Sequence, residues 1–112
     1  MRKSLYDPEH EAFRASVRSF VEKEVVPHHA EWEKAGLVDR SLWTEAGKQG
    51  FLGMDVPERY GGGGVKDFRY NAVLDEEIVR VGASGVGWGL HNDVVAPYLL
   101  ELATEEQKQR WL

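Results

Sequence analysis

Glycine and proline divide this chain into segments that suit helices and leave little room for a sheet. Asp7-Pro8-Glu9 opens the first segment. Asp7 can accept a hydrogen bond from a free terminal amide, Pro8 needs no donor at the first helical position, and Glu9 suits the positive end of the helix dipole. Phe13, Val17, Phe20, Val21 and Val25 then recur at helical spacing, with Arg14, Arg18, Glu22 and Lys23 on other faces. Pro27 removes an amide donor and crowds the preceding turn, which predicts a kink before the helix resumes through Trp32 to a stop at Gly36.

The same signals continue downstream. Asp39 or Ser41 can cap a second helix carrying Leu42, Trp43 and Ala46, which Gly50 ends. Phe51 to Pro57 is short, apolar and broken by Gly53, and reads as buried extended loop; Gly61 to Gly64 then predict a flexible turn. Asp67 caps a third helix with Tyr70, Val73, Leu74, Ile78 and Val81 on one face and Gly82 as its stop. Ser84 can cap a fourth helix reaching Leu102. Its apolar residues surround the axis, which predicts the buried, central helix. Thr104-Glu105-Glu106-Gln107 is a capping box for a fifth. With no sustained alternating segment, the expected fold class is all-α, an up-down bundle of about five helices in one domain, 1–112.

Composition narrows function by exclusion. A chain of 112 residues buries about two thirds of its unfolded surface, enough for one core. Fourteen Lys plus Arg against 19 Asp plus Glu give a net charge of −5, with no pull toward nucleic acid. The absence of cysteine removes disulfide and thiolate chemistry. Arg2 and Lys3 precede no apolar run of signal length, and nothing approaches the roughly 20 apolar residues of a membrane span, so the expected location is cytoplasmic.

Few residues carry a chemical motif. The glycine run suggests a phosphate cradle, but Gly64 is followed by Val65-Lys66-Asp67 in place of the Gly-Lys-Ser/Thr of a Walker loop. His28 and His29 diverge by about 100° on a helix and cannot chelate one ion from one face. His91 and Asp93 lack a partner at metal-ligand spacing, so no metal site is expected. Glu76 and Glu77 likewise diverge, and a structural ion pair, such as Glu76 with Arg80, is the expected use. His91 is either a hydrogen-bonded core histidine or a wall facing a ligand. Gly85, Gly87 and Gly89 each cost about 1 kcal/mol against Ala in a helix interior, which asks either for close helix packing or for space left to a ligand.

Pro27-His28-His29-Ala30-Glu31-Trp32-Glu33-Lys34-Ala35-Gly36, Leu42-Trp43-Thr44-Glu45-Ala46-Gly47-Lys48-Gln49-Gly50 and Val56-Pro57-Glu58-Arg59-Tyr60-Gly61-Gly62 occur in order, followed by Glu76-Glu77, Ser84-Gly85, His91 and Glu105-Glu106-Gln107 before Trp111. Together they closely resemble the N-terminal helical domain of acyl-CoA dehydrogenases, particularly the long-chain type.

That resemblance implies a longer flavoenzyme, in which this domain precedes a β domain and a C-terminal helical domain, both absent here, with FAD and the acyl-CoA thioester bound between them. A glutamate of the C-terminal domain removes the α proton and the flavin takes a hydride from the β carbon, giving a trans-2-enoyl-CoA. By the same resemblance the chain carries no catalytic residue and no principal flavin-binding segment, and is inactive alone. What carries over is part of the acyl-pocket wall: Gly87, Trp88, His91, Val94 and Val95, with Gly87 leaving room for the tail of a long acyl chain. The implied partners of the full-length protein are a fatty acyl-CoA, electron-transfer flavoprotein and further copies of itself. The competing expectation is a free-standing helical interaction module, without enzymatic activity, that uses the exposed side of the fourth helix.

Overall fold

Each predicted cap that the structure describes sits at a helix start. The computed structural model describes residues 5–83 and 85–112 and contains six α-helices and no strand among them. They are α1 (Pro8–Phe20), α2 (His29–Ala35), α3 (Arg40–Lys48), α4 (Phe68–Arg80), α5 (Ala96–Leu102) and α6 (Glu105–Trp111). Asp39, rather than Ser41, caps α3 by accepting from the Ser41 amide at 3.0 Å, and Asp67 caps α4 by accepting from the Arg69 amide at 3.0 Å. The Thr104 box closes with bonds of 2.9 and 3.2 Å between Thr104 and Gln107. At α1 the reciprocal bond comes from His10, whose Nδ1 accepts from the Asp7 amide at 2.9 Å. Gly36, Gly50 and Gly82 end their helices with φ of 74°, 82° and 68°, a region costly for other residues. The proposed Ser84 cap lies outside the described residues.

The sixth helix exists because Pro27 divides the first. Before it, Val21–Val25 is π-helical, and the Val26 amide reaches back five residues to the Val21 carbonyl at 3.0 Å. The same device occurs before Pro97, which the sequence pattern did not flag. Leu90–Val95 is π-helical and leads directly into α5, with the Ala96 amide bonded to the His91 carbonyl. A proline amide cannot donate and its ring crowds the carbonyl four residues back; widening the preceding turn accommodates both. Residues 88–102 therefore form one continuous helical run.

α1 packs along α4. Val17, Val21, Val25, Leu42, Phe51, Leu74 and Trp88 form the main core, with Phe13 and Phe20 meeting Phe51 edge-on. Glu77 is buried at the α1–α4 seam, where Arg14, Arg18 and Arg80 donate to it at 2.8–3.1 Å. The expected structural ion pair is thus centred on Glu77; Arg80 turns to Glu77 and Glu22, while Glu76 faces Arg14 and Tyr6.

The glycine run is bound closely to the loop before it, in place of the flexible turn expected on entropy grounds. The amides of Gly61, Gly62, Gly63 and Gly64 donate to the carbonyls of Glu58, Pro57, Gly53 and Val56 at 2.8–3.3 Å. A Cβ on Gly62 would lie 2.2 Å from the Val56 carbonyl oxygen, so close backbone approach is what requires glycine there.

The fourth helical segment differs most from expectation. It is not the buried, central helix: Trp88, Asn92 and Ala96 are buried, whereas Leu90, Val94, Tyr98 and Leu102 are 56–67% exposed. Gly85 and Gly87 also precede its first helical turn, which leaves Gly89 alone inside the helix. The molecule is accordingly a slab of 46 × 39 × 20 Å with a radius of gyration of 14.7 Å, above the roughly 13 Å of a sphere-like domain this size. No helix is long and apolar enough to cross a membrane among the described residues.

Candidate functional site

Two cavities flank α3, the larger between it and the 88–102 run, the smaller between α2, the 36–38 turn, Trp43 of α3 and the 85–87 segment that leads into the run. The larger, about 710 Å³, is lined by Gly47, Leu52, Tyr60, His91, Val95 and Leu99 among others; the smaller, about 450 Å³, includes Trp32, Val38, Trp43, Gly85 and Gly87. Helical spacing explains the division. Trp43 and Gly47 are one turn apart on α3, and Gly87, His91 and Val95 recur every fourth residue on the facing segment.

The five residues of the expected pocket wall do not form one surface. His91 and Val95 line the larger groove and Gly87 the smaller hollow. Val94 lies on the exposed outer face. Trp88, about 100° around the axis from its neighbour, is enclosed in the main core against Phe20 and Phe51 and lines neither cavity. Its indole nitrogen is buried without a hydrogen-bond partner among the described residues. Trp88 thus supports the segment from behind. His91 meets Trp43 edge-on, with ring centroids 6.1 Å apart.

The groove is held open by polar anchors. Buried Asn92 accepts from the Gly53 amide and donates to the Phe51 carbonyl, both at 2.8 Å, fixing the 51–53 loop to the 88–102 run. Tyr60 donates to Glu105 at 2.7 Å, which ties the turn Glu58–Tyr60 to α6. That bond raises the Tyr60 pKa and lowers that of Glu105. Across the run, Asn71 donates to Asp93 at 2.7 Å, and burial, then the Asp93 carboxylate, push Asp75 up to about 7.

Sequence reasoning missed Asn92, Gly47 and the role of Trp43. Gly47 carries the same signal as the downstream glycines, a small residue inside a helix, and Asn92 is the polar residue of an apolar segment.

The remaining histidines have local partners. His28 packs on the Trp32 ring with centroids 5.6 Å apart, and His29 lies 3.5 Å from Glu33. Asp7, Glu9 and His10 bring possible metal-ligating atoms within 4.8 Å of one another. Both His10 nitrogens are engaged there, by the Asp7 amide and by Asp67 at 2.8 Å. The glycine run does not fit a cofactor pyrophosphate: its four amides already donate to the backbone, so it has none to offer a phosphate.

Residues 7–112 match the family model described as "Acyl-CoA dehydrogenase, N-terminal domain". The long-chain specific acyl-CoA dehydrogenase of Sus scrofa mitochondria is 47% identical over 108 residues, covering 96% of this chain and 25% of that protein. The mitochondrial short-chain specific enzyme of Rattus norvegicus is 33% identical over 103 residues, or 92% and 25%. The crystal structure of acyl-CoA dehydrogenase from Geobacillus kaustophilus superimposes with a TM-score of 0.90 at 49% identity, covering 98% of this chain and 29% of that one. The chain spans about a quarter of the length of the curated relatives it matches.

Proposed function

From the premise that this chain belongs to the acyl-CoA dehydrogenase family, matching its N-terminal domain, we propose that it forms part of the acyl-pocket wall of an FAD-dependent enzyme. That enzyme oxidises a fatty acyl-CoA, with long-chain preference, to trans-2-enoyl-CoA. The observation that carries this reading is the groove of about 710 Å³ bounded by Leu52, His91, Val95 and Leu99, which presents mainly apolar surface to an occupant. Gly87, one turn from His91, borders the smaller hollow. His91 and Val95 are the wall residues proper, Gly87 governs the far end, Trp88 positions the segment from the core, and Val94 faces outward.

FAD, when bound, would accept the hydride. The glycine run has no free amide to offer it, and the chain by itself is proposed to be catalytically silent. Electron-transfer flavoprotein and further copies of the protein are proposed partners of the longer protein. A cytoplasmic location is proposed, beside mammalian relatives whose names place them in mitochondria; cell fractionation decides between the two.

The test is purification of the complete protein followed by oxidation of acyl-CoAs of graded length with an artificial electron acceptor. A flavin absorbance spectrum and turnover of long acyl-CoAs are expected. A colourless protein that turns over none of them would contradict the proposal and favour the second reading, an interaction module. The observation on the side of that reading is the exposed face of Leu90, Val94, Tyr98 and Leu102.

A further inference from the structure

The position that a side chain at Gly87 would take borders directly on the Trp43 indole. A Cβ there would sit 3.8 and 3.9 Å from Cζ2 and Cη2 of Trp43, so the outer edge of the indole lies over the glycine. The same indole is met edge-on by His91, the groove residue one turn on. Gly47, one turn along α3 from Trp43, lines the groove, whereas Trp43 itself lines the hollow. The indole therefore stands between His91, on the wall of the groove of about 710 Å³, and the hollow of about 450 Å³; the two cavities share no lining residue, and Trp43 is the side chain that touches the first and lines the second. Beyond it the hollow is bounded by Trp32, Leu37, Val38, Gly85 and Gly87, with His29 and Glu33 supplying its polar side.

We propose that Trp43 is the length-determining partition between the two cavities. With the indole braced on His91, an apolar tail ends in the groove; with the indole turned aside, a longer tail continues into the hollow. The inference rests on the acyl-pocket reading and assigns Gly87 a more specific part in it. Glycine at 87 acts by leaving the indole free to move, since any side chain there would begin within van der Waals contact of the ring. Trp43 is half-buried, and its bracing contact is a ring edge rather than a hydrogen bond, so no buried polar pairing is broken when it turns. Gly85 bounds the far side: a Cβ there would meet only Val38 Cγ2, at 3.8 Å, so the hollow can be filled without touching Trp43.

The experiment compares kcat/KM across a series of saturated acyl-CoAs for the complete protein and two variants, with flavin content and circular dichroism measured on each. Trp43→Ala should raise the longest substrates relative to the mid-length ones by about tenfold, the scale of discrimination for apolar pocket contacts. Gly85→Leu should lower the longest substrates alone by a similar factor. Equal losses at all lengths for Trp43→Ala, or an unchanged profile for it, would overturn the partition. An unchanged long-chain end in Gly85→Leu would do the same, and this arm holds whether or not Trp43→Ala folds. Failure of the wild-type protein to oxidise any acyl-CoA would instead remove the underlying reading, a result distinct from an active enzyme whose profile ignores both positions.

Discussion

Replacing Glu77 by Gln should destabilise the protein by about 2 kcal/mol at neutral pH, and the loss should disappear in acid. The Glu77 carboxylate is buried on α4 and receives Arg18 at 2.8 and 3.0 Å, Arg14 at 3.0 Å and Arg80 at 3.1 Å, clasping α1 to α4. Hydrogen bonds from Arg18, then Arg14 and Arg80, outweigh the opposing effect of burial and hold its pKa down to about 2 from 4.5. At 1.36 kcal/mol per pH unit that difference corresponds to about 3 kcal/mol. The side chains of Arg18 and Arg80 are 47% and 39% exposed, so solvent screens part of it and about 2 kcal/mol remains. Because the folded value lies below the unfolded one, the contribution is present above about pH 4.5 and is lost as pH falls through about 2. Urea denaturation of both proteins across this range, with m-values compared, measures the gap. A difference under about 0.5 kcal/mol at neutral pH, within the range of ordinary surface substitutions, would refute the reasoning. So would a gap that persists undiminished in acid.

Asp75 should give the opposite pH dependence. Its folded value, about 7, lies above the unfolded 3.8, so its contribution is full below about pH 4 and lost as pH rises through about 7. Asp75→Asn should flatten the stability profile across that window, as followed by thermal melts. Gly62→Ala should destabilise by about 3 kcal/mol or more, because its Cβ would fall 2.2 Å from the Val56 carbonyl oxygen. Gly50→Ala, with open space but φ of 82°, should cost only about 1–2 kcal/mol by the same denaturation assay.

Local grammar made much of this fold legible. Asp39, Asp67 and Thr104 cap, and Gly36, Gly50 and Gly82 stop, because those effects depend on residues within a few positions of one another. Pro27 was legible as a kink for the same reason. The burial of the 88–102 run was not, since an all-round apolar pattern says that a face avoids water and not whether the surface covering it belongs to the same chain. The glycines of that segment are visible in the sequence but not their places: two precede the helix, and Gly87 borders on Trp43 from α3. Of the five residues that the family resemblance offers for a pocket wall, His91 and Val95 line the groove. Their neighbours Gly47 and Leu52 come from other segments, and pairing between segments leaves no trace in local periodicity.

The chain-length profile of the complete protein carrying Gly87→Gln tests the acyl-pocket account most directly. A glutamine would start 3.8 Å from the Trp43 ring and project into the hollow, both pinning the indole and filling the space beyond it. In this variant kcat/KM for the longest acyl-CoAs should fall about tenfold relative to shorter ones. A profile unchanged from wild type, at full flavin content, would contradict it.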